Sequence, residues 1–209
     1  MHLLFTELAD EARRLAGLGL MACTGGNLSV KLPETPPRIA VSASGLDKGR
    51  MRGEDFILVG DDGVALGGDQ RKPSDETSLH LALYRATGCG CICHGHPPHA
   101  VALSLIPGPA IHTAGIEMQK AFAGTRTHAC VRALPIIENS QDMSELSTRA
   151  LAAIDRDVPA VVVRGHGVYA WGRTVAEAGR HLETVEWLCH VVWLARTAGI
   201  ALPECPLAE

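Results

Sequence analysis

The sequence Cys93-His94-Gly95-His96-Pro97-Pro98-His99 follows directly on a short apolar run, Cys89–Cys93, which predicts a buried strand. Two histidines at positions i and i+2 lie where this strand ends, and the neighbouring glycine and prolines indicate a turn. A third histidine lies far along the chain, in Arg164-Gly165-His166-Gly167. Three imidazoles that converge in this way are typical of a catalytic zinc site, which keeps one coordination position open. The pattern therefore predicts a zinc ion held by three histidines.

Alternation of side chains along an extended strand separates the cysteines of this region from the histidines. Cys89, Cys91 and Cys93 are expected on one face, and His94 and His96 on the other. The cysteine spacing also differs from that of structural zinc sites, so we interpret the three as small buried hydrophobic residues. A helix after His99 is expected to carry that residue away from the metal. Five further histidines are interpreted as ordinary helix or loop residues: His80, His112, His128, His181 and His190.

Apolar periodicity and turn signals predict alternating strands and helices along the chain. Strands are expected at Asn27–Leu32, Arg38–Ser42, Phe56–Val59, Val64–Leu66, Cys89–Cys93, Val131–Ile137 and Ala160–Val163. Helices are expected over residues 3–17, from Pro73 through Tyr84, over Val101–Leu105, Met118–Phe122 and Ser144–Ile154, and from Thr174 to Ala198. Hairpin-like strands followed by strand–helix alternation indicate a mixed, largely antiparallel sheet with helices on both faces. The glycines near residue 25 lack the spacing of a dinucleotide-binding fold.

Composition indicates an ordinary globular protein. The chain has 209 residues, 46% of them hydrophobic, and a formal net charge of −4, which disfavours nucleic acid and anionic membranes as partners. Lys48, Arg50 and Arg52 form a small basic cluster, interpreted as a solvated face, although a small anionic ligand remains an alternative. Seven cysteines and the lack of a signal-peptide pattern or a long apolar run favour the cytoplasm. We expect a single domain over residues 1–209, with its core at about 3–198.

Three turns built from small residues are candidates for binding an anion. They are Thr24-Gly25-Gly26-Asn27, Ser42-Ala43-Ser44-Gly45 and Pro73-Ser74. Glycine and serine let backbone N–H groups and hydroxyls approach a phosphate. Each turn by itself is interpreted as a plain turn or helix cap. Together with the metal candidate, they favour a phosphorylated substrate.

Two carboxylates are candidates for general acid–base catalysis. Glu76 lies in the first turn of a predicted helix, where its alternative role is to interact with the helix dipole. Glu117 lies in Ala114-Gly115-Ile116-Glu117-Met118-Gln119-Lys120, where its alternative role is that of a solvated carboxylate. The residues alone leave both interpretations open.

Six ordered motifs together resemble the class II (zinc) aldolase family, from about residue 6 to residue 197. They are Thr24-Gly25-Gly26-Asn27-Leu28-Ser29, Ser44-Gly45, Lys72-Pro73-Ser74-x-Glu76-Thr77, His94-x-His96, Glu117-x-Gln119-Lys120 and Arg164-Gly165-His166-Gly167-Val168-Tyr169-x-Trp171-Gly172. The resemblance implies a three-layer α/β/α fold and a homotetramer with active sites near subunit interfaces. It is greatest to the branch that dehydrates a methylthio-substituted ketose 1-phosphate in methionine salvage.

The resemblance also implies roles for individual residues. One zinc ion per subunit would be held by His94, His96 and His166, and the catalytic acid–base group of the dehydratase branch corresponds to Glu117. The implied substrate- and phosphate-binding residues are Asn27, Ser44, Gly45, Ser74 and Glu76. Aldolases of the family place their catalytic glutamate at Glu76, so a sugar-phosphate aldolase or epimerase is the alternative activity. Asp75 departs from the aldolase pattern, which has a serine there, and is expected to point away from the phosphate. A non-catalytic module on the same fold is a more distant alternative.

Overall fold

A computed structural model describes residues 2–202 as one eight-stranded sheet and five helices. The strands are β1 Asn27–Lys31, β2 Ile39–Ser42, β3 Phe56–Val59, β4 Cys91–Gly95, β5 Ala110–Ala114, β6 Val131–Ile137, β7 Ala160–Val163 and β8 Gly167–Gly172. The helices are α1 His2–Gly17, α2 Thr77–Thr87, α3 Pro98–Ser104, α4 Met143–Ala152 and α5 Val175–Thr197. The strand order is β3-β2-β1-β4-β8-β7-β6-β5, and only β6 and β7 pair in parallel. The predicted mixed, largely antiparallel sheet is confirmed.

Helices cover both faces of the sheet, so the fold has the three layers that the resemblance implied. On one face α1, α3 and α5 pack together, and buried Leu8, Leu15 and Leu182 contribute to the core beneath them. On the other face α2 packs against α4, and Leu83 and Leu146 belong to a second core. Each helix buries one apolar stripe against the sheet, as such layers require. Within residues 2–202, no helix is long and apolar enough to cross a membrane.

Several predicted element boundaries were wrong. Pro73 forms a bridge with Ala43 and Asp75–Glu76 form a turn, so α2 begins only at Thr77, whose backbone N–H donates to the Ser74 carbonyl at 3.1 Å. Residues 64–66 form a single bridge, Val59 to Ala65, rather than a strand. The helix predicted at Met118–Phe122 is a short 3₁₀ turn, Glu117–Ala121. Strands β5 and β8 were not predicted, because their glycine and alanine content hides the alternation that indicates a strand.

The three neighbouring cysteines do not share one face. Cys91 and Cys93 lie in the core under α1 and α5, as predicted, whereas Cys89 lies in the opposite core together with Ile92. The reason is that β4 begins at Cys91, so that residue 89 precedes the extended segment and does not follow its alternation. All three are free and buried, in agreement with their interpretation as small hydrophobic residues.

Candidate active site

The candidate site is built on a row of side chains that crosses three adjacent strands. Asn27 of β1 is paired with His94 of β4, and His94 is paired with Tyr169 of β8. Residues directly opposite each other in a sheet point to the same face. Helix α2 lies over this face, and its first turn is preceded by Glu76. The site is therefore assembled between the ends of central strands and the start of one helix.

Three histidines converge at the end of this row. The nitrogens that His94, His96 and His166 offer lie within 4.8 Å of one another, and the Nε2 atoms of His94 and His96 are 3.1 Å apart. His96 follows β4 directly, and His166 closes the tight turn between β7 and β8. In that turn Gly165 has a φ of +64°, a conformation that favours glycine. The structure thus brings together the two histidine motifs that are 70 positions apart in sequence.

Arg164 anchors the turn that carries His166. Its guanidinium donates to the carbonyls of Ile106 at 3.2 Å and Gly108 at 2.8 Å, and it forms an ion pair with Glu138 at 2.6 Å. The arginine of the Arg-Gly-His-Gly motif is therefore a structural residue, because these contacts tie the turn to the segments that follow α3 and β6.

The three imidazoles fit a metal ion that prefers nitrogen ligands. The His94 Nδ1–H donates to the Val168 carbonyl at 3.0 Å, which leaves Nε2 free to face the other two rings. Burial lowers the pKa of His94 to about 3, and it also lowers the pKa of His96. Both rings are consequently neutral near pH 7, the state in which imidazole binds metals. His166 Nδ1 is buried and has no hydrogen-bond partner among the described residues.

Glu76 faces the histidine cluster. Its Oε2 lies 3.3 Å from His94 Nε2, its Oε1 lies 3.3 Å from His166 Nε2, and the Asn27 amide donates to Oε2. Burial alone would raise the pKa of Glu76, but the interactions with His94 and Asn27 outweigh it and lower this pKa to about 2. Glu76 is therefore a carboxylate held beside the metal-binding nitrogens, in position to contact an ion or its substrate.

A buried polar layer lies behind these groups. The Tyr169 ring stacks on His94, with ring centroids 4.0 Å apart. His80, one helical turn after Glu76, has its Nδ1 2.6 Å from Ser29 Oγ, which is itself 2.8 Å from the Tyr84 hydroxyl. From sequence, His80 was predicted to be an ordinary helix histidine. The spacing of four residues from Glu76 was the available signal, since such pairs share one helix face.

A cleft of about 210 Å³ opens beside the cluster. All five residues implied for substrate and phosphate binding line it: Asn27, Ser44, Gly45, Ser74 and Glu76. Asp75 lines the cleft as well, and its exposed carboxylate forms an ion pair with Lys72 at 2.5 Å. The three small-residue turns therefore meet in one place, next to His96 and His166.

Lys48 also lines this cleft, and its interpretation as part of a solvated basic face was wrong. Only 1% of Lys48 is exposed, whereas the side chains of Arg50 and Arg52 are 88% and 77% exposed. The turn at Ser44–Gly45 is followed by a 3₁₀ turn, Lys48–Arg50, in which only the lysine is buried. Three basic residues that are close in sequence thus lie in two different environments.

Glu117 lies outside the cleft in this chain. Its side chain is 69% exposed and pairs with Lys120 at 2.6 Å and with His128 at 3.5 Å. The hydrogen bond from Lys120 lowers the pKa of Glu117. Glu117 is not among the residues that line the cleft in the part of the chain that the structure describes. A single chain therefore brings Glu76, but not Glu117, to the histidines.

The chain is similar to known proteins both in sequence and in structure. A family model described as "Class II Aldolase and Adducin N-terminal domain" matches residues 6–193. The chain is 41% identical over 187 residues to the methylthioribulose-1-phosphate dehydratase of Stenotrophomonas maltophilia (strain K279a), which covers 88% of this chain and 86% of that protein. It is 40% identical over 194 residues to the enzyme of the same name from Xanthomonas euvesicatoria pv. vesicatoria (strain 85-10), with coverages of 91% and 88%. A solved L-fuculose 1-phosphate aldolase superposes with a TM-score of 0.81 at 25% identity and covers 98% of this chain and 92% of its own.

Proposed function

The chain belongs to the class II aldolase and adducin N-terminal domain family, and we propose that it is a hydro-lyase that dehydrates 5-methylthioribulose 1-phosphate to 2,3-diketo-5-methylthiopentyl 1-phosphate in methionine salvage. The observation that carries this proposal is a three-histidine cluster beside a cleft lined by small-residue turns, in a chain about 40% identical to dehydratases named for this substrate. Retention of all three histidines disfavours a purely structural module on the same fold.

We propose zinc as the metal, with one ion per chain held by His94, His96 and His166. Three neutral imidazoles are a common ligand set for catalytic zinc, and they leave one position open. When bound, zinc would supply a Lewis acid for the substrate carbonyl. Residues of the chain would bind the substrate and position the catalytic groups. Asn27 holds Glu76 in its ionised form beside the histidines, and the turns around Ser44 and Ser74 bind the phosphate.

The reaction requires one proton to leave C3 and one hydroxyl to leave C4 as water, after which the enol product becomes a ketone. A general base must accept the first proton, and an acid must protonate the departing hydroxyl. We propose that Glu117 performs both steps in the cleft of a neighbouring chain. Its exposed position outside its own cleft supports this arrangement, as does the homotetramer with interfacial sites that the resemblance implies.

A sugar-phosphate aldolase or epimerase is the second candidate, and the position of Glu76 favours it. Glu76 is the only carboxylate of the described residues that lies within 3.5 Å of the histidine cluster. In this alternative Glu76 moves the proton, the C3–C4 bond breaks, and an aldehyde is released. The solved neighbour with a TM-score of 0.81 carries the name of such an enzyme.

Substrate tests and two conservative variants distinguish these activities. The metal-loaded protein is offered methylthioribulose 1-phosphate and a panel of ketose 1-phosphates, and the products are identified by mass. Glu117→Gln should lower kcat by about 10²–10⁴-fold with unchanged zinc content, because the amide cannot accept a proton. Glu76→Gln should be less damaging, and Glu54→Gln serves as a control on an exposed carboxylate. Near-normal dehydration by Glu117→Gln, with inactive Glu76→Gln, would refute the assignment.

A mixed oligomer tests whether Glu117 acts across chains. Chains carrying Glu117→Gln retain the histidines, and chains carrying His166→Ala retain Glu117. Co-expression of two inactive chains should restore part of the activity if the base comes from a neighbour. If Glu117 served its own cleft, mixing would restore nothing.

We further propose that the chain functions as a single domain in the cytoplasm. The free cysteines of the described part support a reducing compartment: Cys23, Cys89, Cys91, Cys93, Cys130 and Cys189. Size-exclusion chromatography with light scattering measures whether the assembly is the tetramer that the resemblance implies.

A further inference from the structure

Lys48 joins two of the three small-residue turns that line the cleft. Its Nζ donates to the Thr24 carbonyl at 2.9 Å and to the Leu46 carbonyl at 2.7 Å. The first carbonyl belongs to the turn that ends at Asn27, and the second follows Ser44 and Gly45 directly. An ammonium group has three N–H donors, so one remains after these contacts. That donor has no hydrogen-bond partner among residues 2–202.

The charge of Lys48 has no directly bonded counterpart in the cleft. Among the described lining residues, Lys48 is the only lysine or arginine. The two carboxylates in the lining are occupied elsewhere, because Asp75 pairs with Lys72 and Glu76 contacts His94 and His166. Two neutral carbonyls solvate the ammonium group without neutralising it, and Asp47 and Glu76 act on its charge without bonding to it, so burial of this charge is costly. Burial lowers the pKa of Lys48, which reflects this cost. An anion bound in the cleft would offset it.

We propose that Lys48 determines specificity for the phosphorylated substrate, its free N–H donating to a phosphate oxygen held between the Thr24–Asn27 and Ser44–Gly45 turns. This assignment rests on the proposed function for the identity of the phosphorylated ketose. The two carbonyl contacts fix the ammonium group, so the lysine is organised before the ligand arrives. The serine hydroxyls and backbone N–H groups of the turns add neutral hydrogen bonds, whereas Lys48 supplies positive charge.

The first test measures phosphate binding without turnover. Isothermal titration of the metal-loaded protein with inorganic phosphate compares wild type, Lys48→Met and Arg50→Met. Met keeps much of the buried stem but removes the charge, and Arg50→Met removes the same charge from an exposed site in the same loop. Lys48→Met would lose a hydrogen bond between charged groups, and this loss should weaken phosphate binding by about 10- to 100-fold. Arg50→Met should bind within about twofold of wild type.

A role limited to holding the turns together predicts different results. If Lys48 contacts the phosphate, Lys48→Met should lower kcat/KM for the phosphorylated ketose much more than for its unphosphorylated form. A purely structural lysine would lower both by the same factor. Equal loss for the two substrates, or phosphate affinity equal to that of wild type, would overturn the proposal.

A measurement on the wild type applies even if Lys48→Met does not fold. The buried ammonium group is protected from solvent, so its ¹H–¹⁵Nζ resonance can be followed during titration with inorganic phosphate. The Lys48 signal should shift with the same apparent Kd as the calorimetric titration, and no shift at saturating phosphate, or no phosphate binding at all, would refute the contact. Failure of the proposed function is distinguishable, because the protein would then bind phosphate through Lys48 but would not dehydrate methylthioribulose 1-phosphate.

Discussion

Replacement of Gly167 by alanine should weaken metal binding much more than it disturbs the fold. Gly167 begins β8 directly after His166, and a Cβ at this position would lie 2.3 Å from the Gly95 carbonyl oxygen. The same methyl would lie 2.7 Å from His96 Cδ2 and 3.0 Å from His94 Cε1. The added group would therefore enter the space between the metal-binding strands.

The required movement is large on the scale of metal coordination. The added Cβ and the Gly95 carbonyl oxygen would be about 1.1 Å closer than 3.4 Å, the distance at which ordinary van der Waals contact begins. Strand β4 cannot withdraw easily, because the Leu20 carbonyl and the Leu182 side chain lie behind Gly95 at 2.6 Å and 3.0 Å from its own Cβ position. Metal–ligand distances tolerate about 0.2 Å. We therefore expect metal affinity to fall by about 10–100-fold or more, with a loss of about 1–3 kcal/mol in the free energy of unfolding.

Competition with a chromophoric zinc chelator measures the affinity, and circular dichroism with urea unfolding measures the fold. Gly17→Ala is the matched control, because no atom lies within 4 Å of its added methyl. It should retain wild-type affinity, with stability changed by no more than about 0.5 kcal/mol. Wild-type zinc affinity in Gly167→Ala would refute the geometric argument.

Three further predictions concern pH, the cysteines and the phosphate turns. Burial lowers the pKa of His80 to about 4 and that of His94 to about 3, from the ordinary histidine value of about 6.5, so the unfolded chain takes up protons that the folded protein does not. The metal-free protein should therefore become less stable as the pH falls below about 6.5, by on the order of 1 kcal/mol per pH unit, and His80→Phe should show a shallower slope in urea unfolding at pH 7, 6 and 5. Cys93→Ala should retain full zinc by elemental analysis but lose about 1–2 kcal/mol of stability, and loss of zinc would contradict its interpretation as a buried hydrophobic residue. Ser74→Ala should raise the Kd for substrate or inorganic phosphate by an amount equivalent to about 1–3 kcal/mol, and an unchanged Kd would remove Ser74 from the phosphate site.

The sequence by itself determined the features that depend on local spacing. Alternation along β4 separated His94 from Cys93, and the glycine-flanked His166 indicated a turn that projects a third imidazole. Small residues in three turns identified the lining of the cleft, including Ser44 and Ser74, because only such residues let a ligand approach the backbone. The order of strands and helices was sufficient to predict a mixed sheet covered on both faces.

Tertiary structure alone decided which charged groups share the site. Glu76 and Glu117 are both helix-start or turn carboxylates in sequence, yet one lies 3.3 Å from two imidazoles and the other is exposed on the surface. Lys48 and Arg50 are two residues apart, but one is buried in the cleft wall and the other is solvated. The apolar periodicity of a sequence indicates which hydrophobic residues are buried, but it does not indicate whether a given charged side chain is buried or exposed. Their environment, and hence their pKa and chemistry, depends on which distant segments the folded sheet and its covering helices bring against them.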